Sequence, residues 1–254
     1  LNPNTEPNPE NIYMPIRARL YSAHFAFAAG EFVKEVPHDP NMFFHGEEPS
    51  IAVRAWTHGY DLFHPHRCYV YHYYERPGYR RHWDDQAHRH KELNERAHDR
   101  FRRLLGIGCE VEDLGEYGLG KERSLSDYEK FAGIRFKDRR IQAYTLKNYP
   151  PPNPYHLNYD ESFLGFFKHC IDIGYHLVPE KDYDFWVVAF LDSNGEDVYR
   201  MDANEKEVSQ MLNDKDRYAK VWREFFYDRE PVRWRVWPHS KSKGYGHMRD
   251  GVFT

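Results

Sequence analysis

FAFAAGEFVKEVPHDPNMFFHGEEPSIAVRAWTHGYDLFHPHRCYVYHYYER, residues 25–76, is the stretch whose reading decides the fold. It begins inside YSAHFAFAAGEFV, residues 21–33. That run alternates apolar and small residues and reads as a strand breaking at Ala28-Ala29-Gly30. VPHDPN follows as a turn, with two prolines around His38-Asp39. GEEPSIAVRAWTHGY then predicts a helix. It has acidic residues at its start, Pro49 in its first turn, apolar Ile51, Ala52, Ala55 and Trp56 at helical spacing, and Gly59 as its stop. DLFHP reads as a turn and CYVYHYYE as an aromatic strand carrying His72.

Beyond this stretch, DDQAHRHKELNERAHDRFRRLL predicts a charged amphipathic helix from Asp84 to Leu105, ended by Gly106 and Gly108. A glycine-rich loop leads to a short helix capped by Ser124 or Ser126, with Ser126 and Glu129 fitting a capping box. The proline run at 149–154 is the expected linker. It divides the chain into a first domain at 1–148 and an accessory α+β or β-rich module at 155–254. In that module Ser193-Asn194-Gly195 predicts a hairpin turn. KEVSQMLN and DKDRYAKVWREFF predict helices. EPVRWRVWPHS predicts a strand, alternating Val232, Trp234 and Val236 against Arg233, Arg235 and Trp237.

Composition narrows the function. The chain has 254 residues and a net charge of −4, from 36 basic and 40 acidic residues with no long one-sign run. That leaves out the electrostatic footprint of a nucleic-acid binder. Twenty Tyr and 17 Phe can fill a core and also line a polar cleft. Cys68, Cys109 and Cys170 lie far apart, so neither a disulfide scaffold nor a cysteine zinc site is expected. No apolar run reaches the ~18–20 residues that span a membrane, and no signal peptide is visible, so a cytoplasmic location is the default expectation. The proline-rich opening LNPNTEPNPE, which begins with Leu, reads as a boundary or as the start of a truncated chain.

Three features could carry chemistry. Gly46-Glu47-Glu48 places two carboxylates at a helix N-terminus, where the helix dipole favours them; taken alone they also fit a plain acidic first turn. Ala28-Ala29-Gly30 lets a ligand approach the backbone, and equally permits tight strand packing. His72 sits between aromatics, where a lone histidine is commonly structural.

Their order is more specific than any one of them. A small-residue turn, Asp-Pro, Gly-Glu-Glu, Arg-x-Trp-x-x-Gly, Pro and His-x-x-x-Arg follow one another. This resembles the second half of the polypeptide N-acetylgalactosaminyltransferase catalytic domain. It more closely resembles the Skp1-hydroxyproline N-acetylglucosaminyltransferase family. The segments that carry the likeness are FAFAAGEFVKEVPHDPNMFFHGEE, VRAWTHGYDLFHP, YHYYERPGYRRHWDD and LGEYGLGKERSLSDYEKFAGI, together covering roughly residues 20–140.

The resemblance implies an α/β fold of GT-A type with a central mixed sheet, of which this chain would hold the acceptor-side, C-terminal part. It implies a retaining transfer of N-acetylglucosamine from UDP-GlcNAc to a hydroxyl, on a protein or a glycan, assisted by Mn²⁺ or Mg²⁺. On that likeness His72 is a metal ligand. Glu47 and Glu48 are the catalytic-site carboxylates that hold donor-sugar hydroxyls. Gly46, Ala29 and Gly30 form the sugar-side backbone, and Arg76 and Arg80 hold the diphosphate. Trp56 is expected to pack rather than contact a ligand. The family's nucleotide-binding half, with its DxD-type carboxylates, should precede these motifs. It is expected to be missing here or supplied by an N-terminal half or a second chain. Asp84-Asp85 and Asp182-x-Asp184 come after His72 and are expected to be a helix start and a turn. The alternatives are a non-catalytic glycan- or protein-binding remnant of this fold and, more weakly supported, a metal-dependent hydrolase using the histidines.

Overall fold

The structure is a computed structural model and describes residues 13–73, 78–80, 84, 88–155, 159–213 and 217–253. Helix and sheet are mixed along the chain, as an α/β reading requires. The chain divides into two compact units, Leu1–Phe163 and Leu164–Thr254.

The first unit opens with β1 (Ile16–Arg17) and α1 (Gly30–Glu35). The expected strand at 21–33 is not there. Residues 23–30 are exposed without strand pairing, and Phe32 and Val36 turn inward one helical turn apart. Alternating apolar residues make a strand only when a neighbouring backbone accepts their hydrogen bonds. The next helix, α2 (Glu47–Thr57), is the expected one. Gly46 precedes it at φ +91°, Glu47 and Glu48 occupy its first turn, and Ile51, Ala52, Val53 and Ala55 are fully buried.

After β2 (Phe63–His64), which pairs antiparallel with β1, residues 68–73 are not a strand. Tyr69, Tyr71 and Tyr73 stand exposed instead. The charged helix α3 (His90–Leu105) ends at Gly106, in left-handed conformation; residues 85–87 of its expected start lie outside the described residues. Helix α4 (Leu125–Ala132) is capped by Ser124, whose hydroxyl accepts from the Asp127 amide while the Asp127 carboxylate accepts from the Ser124 amide. This replaces the expected Ser126–Glu129 box; the Glu129 carboxylate accepts the Phe136 amide at 2.8 Å instead. The hairpin of β3 (Ile134–Arg135) and β4 (Arg140–Gln142) and the turn of helix α5 (Ala143–Leu146) follow. No central mixed sheet is present among the described residues of this unit, whose core is helical: α2, α3 and α4 share the cluster of Val53, Leu104, Leu105, Tyr128, Phe131 and Ala132. Trp56 packs there as expected, its ring 4.2 Å from that of Phe131.

The proline run at 149–154 is packed into this unit, so the division falls later than the expected linker. Asn153 is the reason. Its amide nitrogen donates to Gln142 Oε1 at 2.6 Å and Thr145 Oγ1 at 2.8 Å, its backbone N–H reaches the Phe131 carbonyl at 3.2 Å, and its Oδ1 accepts from Arg19 at 2.9 Å.

The second unit is built on antiparallel strands. β5 (Phe163–Gly174) runs beside β9 (Tyr218–Tyr227). β6 (Tyr183–Leu191) pairs with β7 (Asp197–Arg200), β8 (Ala203–Asn204) and β10 (Arg233–Ser240). β10 also pairs with β11 (Gly244–Tyr245) and β12 (Arg249–Val252). Helix α6 (Glu205–Leu212) covers the expected KEVSQMLN segment. The β6–β7 turn sits where Asn194-Gly195 predicts it, with Gly195 at φ +83°. The expected helix at 214–226 is wrong over its described part: residues 218–227 are β9. Ala219, Val221, Arg223 and Phe225 face inward and the residues between them face out, a period of two that the abundant helix-forming charges concealed.

Cys170, on β5, titrates unusually. Burial, reinforced by Asp172, pushes its thiol up to about 11. Cys68 and Cys109 are exposed. At pH 8, iodoacetamide should therefore label Cys170 roughly 100-fold more slowly than an ordinary thiol, because so little of it is thiolate. Peptide mass mapping over time checks this, and equal labelling of the three cysteines would contradict it.

Candidate active site

The start of α2 is where sequence-predicted residues converge. A left-handed Gly46 turns the chain into the helix, so Glu47 and Glu48 emerge together at the positive end of its dipole. Glu47 Oε1 lies 2.8 Å from His38 Nδ1. Glu48 Oε1 accepts the backbone N–H of Ala23 at 2.8 Å. Each carboxylate is thus fixed through Oε1, and Oε2 remains to accept from a ligand. Tyr21 lies near both. Burial first, and then the charges of Glu47 and Glu48, raise its pKa, so it stays a neutral hydroxyl able to donate.

A buried arginine supports the VPHDP turn that carries His38. Arg54, 1% exposed, donates from Nη1 to the Pro37 carbonyl at 2.7 Å and from Nη2 to the Glu116 carbonyl at 3.0 Å, with a longer contact from Nε to Gly118. Asp39 is held by Arg100 and by the Asn41 amide. The site is therefore preorganised from beneath by α2, α3 and the loop around 115–120.

Ala29 and Gly30 are exposed at the start of α1, and a Cβ added to Gly30 would meet nothing within 4 Å. Tight strand packing does not explain these small residues; they border open space. His72 is exposed and its ring stands edge-on to His24, centroids 4.5 Å apart. His24 Nδ1 is 3.0 Å from Ser22 Oγ. One short segment, 21–24, therefore touches both Glu48 and His72. Arg80 is exposed, while Arg76 lies outside the described residues.

Sequence reading missed Tyr21, His24, His38 and Arg54. The available signal was the polar Ser22 and His24 interrupting an apolar alternation, and a single arginine on the apolar face of α2. Asp182 and Asp184 are occupied elsewhere, by the Ser242 amide and by His239.

The donor set bears on the expected divalent cation. Among the described residues no group of three or more His, Cys, Asp or Glu side chains could hold a metal ion. His72 and His24 offer imidazole nitrogens, whereas Mg²⁺ and Mn²⁺ favour oxygen ligands. These residues alone do not fit the ion.

The family model described as Glycosyltransferase (GlcNAc) matches residues 4–138, more than half of the sequence, and the chain belongs to that family. Glycosyl transfer is the activity of that class, with a sugar donor and an acceptor as its substrates. No curated protein and no solved structure gives a significant match. The matched region contains every expected site residue and none of the second unit. Among the described residues no helix is long and apolar enough to cross a membrane.

Proposed function

We propose that the first unit is the acceptor-side part of a GT-A-type, retaining transferase that moves N-acetylglucosamine from UDP-GlcNAc to a hydroxyl on a protein, as in the Skp1-hydroxyproline family. The observation that carries this reading is the pair Glu47–Glu48, each anchored through one oxygen at the start of α2. Two fixed carboxylates hold vicinal sugar hydroxyls and so orient the anomeric carbon. Tyr21, a neutral hydroxyl near both carboxylates, would supply a donor to the same ligand.

In the reaction the bond from the anomeric carbon to the donor phosphate oxygen breaks, and a bond to the acceptor oxygen forms on the same face. The acceptor proton passes to the departing phosphate oxygen. Arg76 and Arg80 would stabilise the charge on UDP. His72 would be one ligand of a divalent cation whose carboxylate ligands come from a DxD-type half outside the described residues, in the same polypeptide or a second chain.

The second reading, a glycan- or protein-binding remnant of this fold, is favoured by the exposed rings of Phe27 and Tyr71, 94% and 93% exposed, on segments that flank the site. Titration of the chain with UDP-GlcNAc and with GlcNAc, with and without Mn²⁺, separates the two. With the DxD-type half supplied, metal-dependent UDP-GlcNAc binding that His72→Ala weakens at least tenfold is the expected result. Metal dependence untouched by His72→Ala would remove His72 from the site. Binding of sugar alone would favour the remnant.

A further inference from the structure

The outward face of the β5–β9 ribbon carries partly exposed aromatic and charged side chains. Phe166 lies opposite Phe226, Lys168 opposite Glu224, and Asp172 opposite Lys220, with Trp222 between the two charged pairs on β9. Trp222, Phe166 and Phe226 are 53%, 49% and 41% exposed. The two phenylalanine rings pair at 5.1 Å. Lys168 Nζ sits 2.6 Å from Glu224 and 5.4 Å from the Trp222 ring centroid. Trp222 and Phe226 are four residues apart on one face of a strand, about 13 Å. The face therefore offers two aromatic stations with an ion pair between them, and its charges balance.

That pattern selects a ligand class. Balanced charge gives no attraction for a phosphate backbone or an anionic membrane surface. A dry protein interface concentrates its apolar side chains and excludes charge from its centre. Here a protein partner would have to desolvate Lys168 and Glu224 between the rings. A neutral pyranose chain meets no such cost. Its C–H faces lie on the rings, and its hydroxyls both donate to Glu224 and accept from Lys168 without displacing the ion pair.

We propose that the outward β5–β9 face of the second unit binds a neutral, N-acetylglucosamine-containing glycan chain, with Trp222 as its principal stacking platform. The proposal rests on the family membership for the choice of sugar and not on the roles given to Glu47, Glu48 and His72.

The test is calorimetric titration of the full chain with N,N′,N″-triacetylchitotriose. Saturable binding with a millimolar or tighter Kd is expected. Trp222→Ala should weaken it at least tenfold and Trp222→Phe less, with circular dichroism and Tm unchanged because the side chain is exposed. Glu47→Gln should leave this binding intact. Absence of binding, or equal binding by the wild type and Trp222→Ala, overturns the proposal. So does a dimer, seen by sedimentation, that Trp222→Ala dissociates while chitotriose has no effect, because the face would then join two copies of the chain. Chitotriose binding that Glu47→Gln abolishes and Trp222→Ala spares would assign it to the first unit and equally overturn the platform. Trp222-dependent binding in a protein that shows no transferase activity with a complete donor site would count against the proposed reaction alone.

Discussion

Arg54→Met is expected to lower the folding stability of the chain by about 3 kcal/mol or more. The guanidinium is buried and its Nη atoms serve the carbonyls of Pro37 and Glu116, which approach α2 from opposite directions in sequence. Methionine fills much of the volume but donates nothing, so those acceptors would be left dry. Replacing a buried charge by an apolar side chain is cheap only when its partners go too; here the partners are backbone and stay. Arg54→Lys should fall between, because one ammonium cannot serve several carbonyls fixed in a fork. Urea unfolding monitored by circular dichroism reads the effect. A loss below about 1 kcal/mol would mean that water takes over the guanidinium's bonds.

Glu47→Gln and Glu48→Ala should give the largest changes in turnover. On the proposed reaction each carboxylate accepts from a donor-sugar hydroxyl, and losing a charged acceptor costs about 1.5–3 kcal/mol, or roughly 10- to 100-fold in kcat/KM. Glu47→Gln should impair sugar transfer while leaving UDP affinity unchanged. Glu48 has a second duty. Glutamine at 48 can still accept the Ala23 amide, so geometry survives while the charge is lost. Alanine releases the 21–24 segment and with it the placement of His24 beside His72. Glu48→Ala should therefore be worse than Glu48→Gln. UDP release in an assembly with a complete donor site measures both. Equal kcat/KM for the two Glu48 variants would show that the amide bond contributes nothing, and equal loss of UDP and sugar binding in Glu47→Gln would remove its donor-sugar role.

What could be read in advance was local. The α2 start at Gly-Glu-Glu, the stop of α3 at Gly106, the Asn-Gly hairpin and the alternation of β10 each follow from a few adjacent residues. The segments at 21–29 and 68–73 misled because strand formation depends on a partner backbone that no local pattern reveals. β9 misled because Lys220, Arg223 and Glu224 suit a helix as well as a ribbon, and only pairing with β5 decides. In the site, Glu47 and Glu48 were legible from the helix start. His38, Tyr21 and Arg54 were not, because their significance lies in contacts across loops. Of the expected diphosphate residues, Arg76 lies outside the described residues and Arg80 is exposed, so the phosphate side of the site is carried by the resemblance alone.

Gly133 tightens this picture at the other end of the first unit. It sits at φ +63°, and a Cβ there would lie 2.0 Å from the Asn153 amide nitrogen and 2.5 Å from Thr145 Oγ1. The position is closed twice over, by torsion and by crowding, so an asparagine that tolerated the torsion would still collide. The polar knot it makes room for joins Arg19, Phe131, Gln142, Thr145 and Asn153. The family match stops at residue 138, in the middle of that knot. A fragment cut at 138 would keep Arg19 and Phe131 and discard Gln142, Thr145 and the asparagine that bonds to them all, so it should unfold more readily than one carried past Asn153.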